Sequence, residues 1–134
     1  MLKLKNIHIY LVSTLFFFFI GYISYAASTG RALLFFELLE RIPMGDKLVH
    51  VVLMGTLAFL LNLMLGGRTF SINGVPILLG SCIAVGFVTI EEFSQIYIPL
   101  RNFDWIDLIA NYTGIILASK WQIPNSEHQI PNSN

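Results

Sequence analysis

The stretch Pro99-Leu100-Arg101-Asn102-Phe103-Asp104-Trp105-Ile106-Asp107-Leu108-Ile109-Ala110-Asn111-Tyr112-Thr113-Gly114 decides how this chain folds, because it joins a turn to a striped helix. Asp104, Asp107, Asn111, Gly114 and, further on, Ala118 recur at steps of three and four, which places them on one side of an α-helix. Upstream, an apolar segment from about Val75 to Ile98 stops at Pro99, a residue that has no N–H to continue a helix. Two helices joined through the short Pro99–Asn102 turn must run antiparallel, with Tyr97 and Trp105 as interfacial aromatics beside it. Acids at the mouth of the stripe and small residues below predict that it faces a bundle interior.

Composition sets the solvent. Hydrophobic residues make up 55% of the 134 residues and charged ones 12%, against about a quarter charged in a soluble domain. The chain therefore reads as an integral membrane protein, with room for about four spans of ~20 residues. A net charge of zero argues against a nucleic-acid partner. The single cysteine, Cys82, lies in an apolar segment and offers neither a disulfide nor a thiolate zinc site.

Working outward, four spans are predicted at about 7–27, 48–65, 75–98 and 103–120, forming an all-α four-helix transmembrane bundle over residues 1–120. The first run, preceded by Lys3 and Lys5, is longer than the apolar core of a cleavable signal, so it reads as a retained anchor although Ser24-Tyr25-Ala26 resembles a cleavage site. Ser13, Phe17, Gly21, Ser24 and Ser28 form a small-residue seam along it; Lys47, Val51, Gly55, Ala58 and Asn62 form another in the second span, with His50 about 100° away from it. Between these spans, residues 29–45 are too short to cross. They read as a short interfacial helix with Glu37 and Arg41 as a supporting pair, either a lid over the polar residues or a plain connector. Gly66-Gly67-Arg68 and a polar turn through Ser71, Asn73 and Gly74 follow the second span. The tail, 121–134, repeats Gln-Ile-Pro-Asn-Ser and reads as disordered.

Alternating spans bring three polar clusters to one membrane face: Asp46-Lys47-x-x-His50, Glu91-Glu92-x-x-Gln95, and Arg101 through Asn111. Glu92 and Asp107 lie at matching depths of ~10 and ~9 Å, at about 1.5 Å per helical residue. Ionisable groups at such depth cost roughly 2.5–3.5 kcal/mol each near a span's centre, which makes them the functional residues. Glu92, Asp107 and His50 are the candidates for acid–base catalysis; Asp46, Lys47, Gln95, Arg101, Asp104 and Asn111 are the candidates for substrate binding. Arg101 and Lys47 suit a phosphate or carboxylate on a lipid-linked substrate, or else pair with the acids. Catalysis or binding, a structural polar network, and a divalent-metal site remain alternative readings; one histidine argues against the last, and no cofactor is expected. No Gly-rich phosphate loop, Ser/His/Asp order or His-Glu-x-x-His occurs, and Asn111-Tyr112-Thr113, although an acceptor pattern, lies within a span.

Asp-Lys-x-x-His, acidic-Glu-x-x-Gln and Arg-x-Phe-Asp-Trp-x-Asp-x-x-x-Asn-x-x-Gly, in this order from Asp46 to Gly114, resemble the VanZ-like family of small bacterial membrane proteins. Asp46, Lys47, His50, Glu92, Gln95, Arg101, Asp107, Asn111 and Gly114 occupy its pattern. Leu100 and Ala118 stand where the family favours a small residue and a further glycine. The resemblance implies a cell-envelope role affecting teicoplanin or other glycopeptide sensitivity, with a lipid-linked envelope precursor or glycopeptide as partner. The alternatives are a membrane enzyme acting on such a substrate and a non-catalytic structural or partner-binding protein.

For orientation, positive charges count four on each side. Lys3 and Lys5 ahead of the first helix favour a cytoplasmic N-terminus and a pocket on the outer face of the cell membrane.

Overall fold

In the computed structural model, residues 2–31 and 34–123 are described. Helix α1 (Leu2–Ser28) is followed by the short α2 (Leu34–Glu40) and by α3 (Gly45–Met64). A hairpin of β1 (Thr69–Ile72) and β2 (Val75–Leu78) leads into α4 (Leu79–Ser94), a 3-10 turn (Gln95–Tyr97) and α5 (Trp105–Gln122). Among the described residues the fold is thus all-α apart from one hairpin. Three helical stretches, Asn6–Ser28, Gly45–Met64 and Leu79–Tyr97, are long and apolar enough to cross a membrane. Outward-facing Leu15, Phe18, Ile90, Ile109 and Ile116 are more than half exposed, an apolar surface that suits lipid and would be costly in water. These features make the chain a multi-pass membrane protein. Helix α5 is less apolar, because Asp107, Asn111, Lys120 and Gln122 lie within its 18 residues.

Helix α3 is the central element and packs most extensively on α5, then on α4 and α1. Its small-residue seam explains the approach to α5. A Cβ built at Gly55 would stand 3.0 Å from the Gly114 carbonyl oxygen. One built at Gly114 would collide with the Val51 carbonyl oxygen and lie 2.9 Å from its carbon. The predicted stripe through Asn111 and Gly114 therefore does face inward, against α3. The core around Met54, Leu57, Ala58, Ala84, Val88 and Ile115 receives Ile20 and Phe16 from α1. On α1 the packing face differs in part from the predicted seam. Ser13, Ser24 and Ser28 are buried or half-buried and the ring of Phe17 packs on Phe87 of α4, but Gly21 is exposed, and a Cβ there would meet nothing. Bulk at Phe16 and Ile20, rather than small size at Gly21, fills the space between α1 and its neighbours.

The third span was expected from about Val75, yet residues 75–78 pair as β2 with Thr69–Ile72. Asn73 and Gly74 explain this, since both adopt positive φ (50° and 80°), the geometry of the two-residue turn that Asn-Gly favours. Past Tyr97, Arg101 N–H donates to the Ile98 carbonyl (3.0 Å). The chain then runs extended to Asp104, which caps α5 by accepting from Ile106 N–H (2.8 Å). Stacking of Phe93 on Phe103, with Trp105 edge-on to both, fixes this connection.

Helix α2 occupies the predicted connector. It ends at Glu40, so Arg41 lies beyond it and no Glu37–Arg41 ion pair forms among the described residues. Gly45 brings the end of α2 close to the start of α3, since a Cβ there would sit 2.7 Å from the Leu39 carbonyl oxygen. The expected disordered tail falls, beyond Ile123, outside the described residues, and Trp121 and Gln122 complete α5.

Candidate functional site

The three polar clusters meet at one end of the bundle. Lys47, on the first turn of α3, reaches Asp46 (3.0 Å), Asp104 (2.9 Å) and Asp107. One ammonium thus serves three carboxylates, and the hydrogen bonds it offers are taken up within the chain. The Lys47 ammonium and the Ile106 N–H hold the Asp104 carboxyl below the usual carboxylate range.

One turn deeper, Asn111 donates from Nδ2 to Oε1 of the fully buried Glu92 (2.9 Å). That orients Asn111 Oδ1 toward His50 Nδ1, 2.9 Å away. A carbonyl oxygen can only accept, so this network places a proton on Nδ1 and, in the neutral ring, leaves Nε2 with the lone pair. Nε2 lies 3.8 Å from Asp107, and Nδ1 lies 3.8 Å from Glu92. The histidine whose direction was open in the sequence thus stands between the two candidate carboxylates. Glu92 lies opposite Asn111 rather than at the level of Asp107. Its second oxygen, Oε2, has no hydrogen-bond partner among the described residues.

Glu91 forms the third centre. It accepts from Ser24 of α1 (2.7 Å) and from Gln95 (3.1 Å), and lies 3.8 Å from Arg101. Gln95, 2% exposed, therefore supports Glu91 from within the bundle and is not open to a ligand in this arrangement. Arg101 faces a cavity of about 470 Å3 between α1, α2, α3 and α4. Ile20, Ile23, Phe36, Leu39, Leu53 and Met54 supply its apolar walls; Glu40, Asp46, His50, Glu91 and Arg101 supply its polar groups. The size lies within the ~300–1,000 Å3 of ordinary small-molecule sites.

The arrangement can orient an imidazole lone pair between two carboxylates and hold an amphipathic molecule. Among the described residues, no group of three or more His, Cys, Asp or Glu side chains is set to hold a metal ion.

Sequence reading placed Glu91 in a polar cluster without giving it a role, and missed Ser24 as a site residue and Glu40 as part of the cavity. The spacing of Glu91 and Gln95, four apart on one helix, was the available signal for the first; nothing local marked Ser24. A second polar knot also went unread. Asn62 donates to Ser81 (2.8 Å) and Gln122 (2.7 Å), Ser81 pairs with Ser119 (2.6 Å), and Gln122 donates to the Phe59 carbonyl (3.0 Å). It joins α3, α4 and α5 at the opposite end. Comparison with family models, with curated proteins and with solved structures finds no match to this chain.

Proposed function

We propose that the chain is a VanZ-like membrane protein of the cell envelope that holds an envelope component in the cavity beside His50 and Arg101, and thereby alters sensitivity to teicoplanin. The observation that carries this reading is the convergence of three clusters, far apart in sequence, into one network beside an amphipathic cavity. In this reading α5 is the fourth span. Its polar side chains Asp107, Asn111 and Gln122 bond to neighbouring helices, so they need no water. Helix α2 lies in the interface, its exposed Leu34, Phe35 and Leu38 in lipid and its Phe36 and Leu39 over the cavity. Lys3 and Lys5 keep the N-terminus cytoplasmic, which puts the carboxylate-rich end outside.

A second reading, an enzyme acting on a lipid-linked envelope substrate, is favoured by one specific feature. The Glu92–Asn111–His50 chain presents His50 Nε2 as an oriented general base, the logic of a carboxylate-supported histidine.

Susceptibility of a sensitive bacterial host to teicoplanin and vancomycin tests the first reading, with wild type compared to Glu92→Gln at equal membrane level. Protection by wild type alone is expected; no protection by fully expressed wild type sinks it. If Glu92→Gln and Asp107→Asn both protect as well as wild type, the enzyme reading falls.

A further inference from the structure

The cavity carries information about the charge of its occupant. Three carboxylates line it, Glu40, Asp46 and Glu91, against one guanidinium, Arg101. Asp46 is paired with Lys47, but that ammonium is shared with Asp104 and Asp107. Arg101 lies 3.8 Å from Glu91, which accepts hydrogen bonds from Ser24 and Gln95. Glu40, at the end of α2, has no ion-pair partner among the described residues and is exposed at the rim. Carboxylates thus outnumber cations in the cavity and in the network behind it. A low-dielectric recess lined by one sign of charge concentrates the opposite sign and repels its own.

The remaining walls are hydrocarbon from α1, α2 and α3. A phosphate at Arg101 would lie beside the Glu91 carboxylate, 3.8 Å from the guanidinium, in a cavity that Glu40 and Asp46 also line. An ammonium finds carboxylate acceptors in this lining, at Glu40, Asp46 and Glu91.

We propose that the cavity binds an amphiphile with a protonated amine headgroup, the amine lying among Glu40, Asp46 and Glu91 and the chain along Ile20, Ile23, Phe36, Leu39 and Leu53. This rests on the reading that the cavity is the working site, and it names the class of molecule the cavity takes. Arg101 then offsets part of the charge of Glu91, which Ser24 and Gln95 orient, and is not an anion receptor.

The test uses the full chain in phosphatidylcholine nanodiscs and three photoreactive probes of one design. These are a sixteen-carbon primary amine bearing a mid-chain diazirine, and the matched alkyl phosphate and alcohol. The amine is expected to label peptides containing Ile23, Phe36 or Leu53 saturably, with half-saturation well below that of the other two. Glu40→Gln, on an exposed helix end, should raise the amine's half-saturation by up to about fivefold, the range for one exposed ion pair, and leave the alcohol unchanged. Equal labelling by all three probes, preference for the phosphate, absence of saturable amine labelling, or amine labelling that ignores Glu40→Gln overturns the proposal. Amine-selective labelling of a chain that gives no teicoplanin protection leaves this inference standing and removes only the resistance role. Protection without amine selectivity does the reverse.

Discussion

Replacing Gly114 by alanine tests the contact on which the whole site depends. The added methyl would collide with the Val51 carbonyl oxygen and stand 2.9 Å from its carbon, where ordinary contacts begin near 3.4 Å. Neither atom belongs to a side chain that can rotate away, so α5 must withdraw from α3 by at least half an ångström. Overpacking of this kind costs about 1–3 kcal/mol, and backbone on both sides puts Gly114→Ala at the upper end, on the order of 10 °C in thermal midpoint. The same withdrawal stretches the 2.9 Å His50–Asn111 hydrogen bond, one helical turn away, toward the limit of a useful bond. Gly55→Ala, whose methyl would sit 3.0 Å from the Gly114 oxygen, should cost less, about 1 kcal/mol. Gly86→Ala and Gly21→Ala meet nothing within 4 Å and should be neutral or gain up to roughly 1 kcal/mol from helix propensity. Thermal unfolding of the purified variants in one detergent, with membrane abundance measured in parallel, reads the series. A Gly114→Ala protein as stable and abundant as Gly86→Ala would refute the close approach of α3 and α5.

Two further outcomes follow from the Lys47 cluster. Lys47→Met leaves Asp46, Asp104 and Asp107 facing one another and should destabilise the protein by about 1–3 kcal/mol, between an exposed and a buried ion pair, because Lys47 and Asp107 are part-buried while Asp46 and Asp104 are open to solvent; thermal unfolding at pH 7 measures it. The Asp104 carboxyl is held below its ordinary range, so its contribution is complete above the usual value of ~3.9 and fades as pH falls through the lowered folded one. The difference in thermal midpoint between wild type and Asp104→Asn should therefore be constant from about pH 8 to 5 and shrink only below about pH 4; a difference that disappears near pH 6 would contradict the assignment.

What could be read from the sequence divides by the range of the interaction. The stripe from Asp107 through Gly114 and the seam from Lys47 through Asn62 are helical periodicities, and each faces the other in the fold. Local period and a turn at Pro99 were enough to predict that the stripe faces the bundle interior, but not that the seam of α3 is its partner. The α1 seam failed at Gly21 because small size alone does not choose a face; Phe16 and Ile20 fill the gap to α3 and α4, which only their neighbours decide. The β-hairpin was hidden by hydropathy, since Val75–Leu78 is as apolar as the helix it precedes, although Asn73-Gly74 carried the turn signal. At the site, the meeting of the three clusters was expected from the alternation of spans, and pairing of Lys47 and Arg101 with acids was one reading, but the individual partners were not legible. That one lysine would serve three acids, or that Asn111 would orient His50, depends on side-chain geometry across three elements.

The two ends of the bundle solve the same problem with different chemistry. At one end, Asn62, Ser81, Ser119 and Gln122 tie α3, α4 and α5 through neutral hydrogen bonds alone. Such bonds are worth about 0.6–2 kcal/mol each in a membrane and leave no charge to compensate. At the other end the same three helices meet around Lys47, His50, Asp107, Asn111 and Glu92, with one carboxylate oxygen of Glu92 unbonded among the described residues. If association were the only requirement, amides and hydroxyls would serve there too, at lower desolvation cost. The charged end is also where the amphipathic cavity opens and where α2 closes over α3. His50 joins the two features: it lines that cavity while bonding to Asn111 and standing 3.8 Å from Glu92 and from Asp107, neither of which lines it, so the charge of those two carboxylates reaches the cavity through the imidazole.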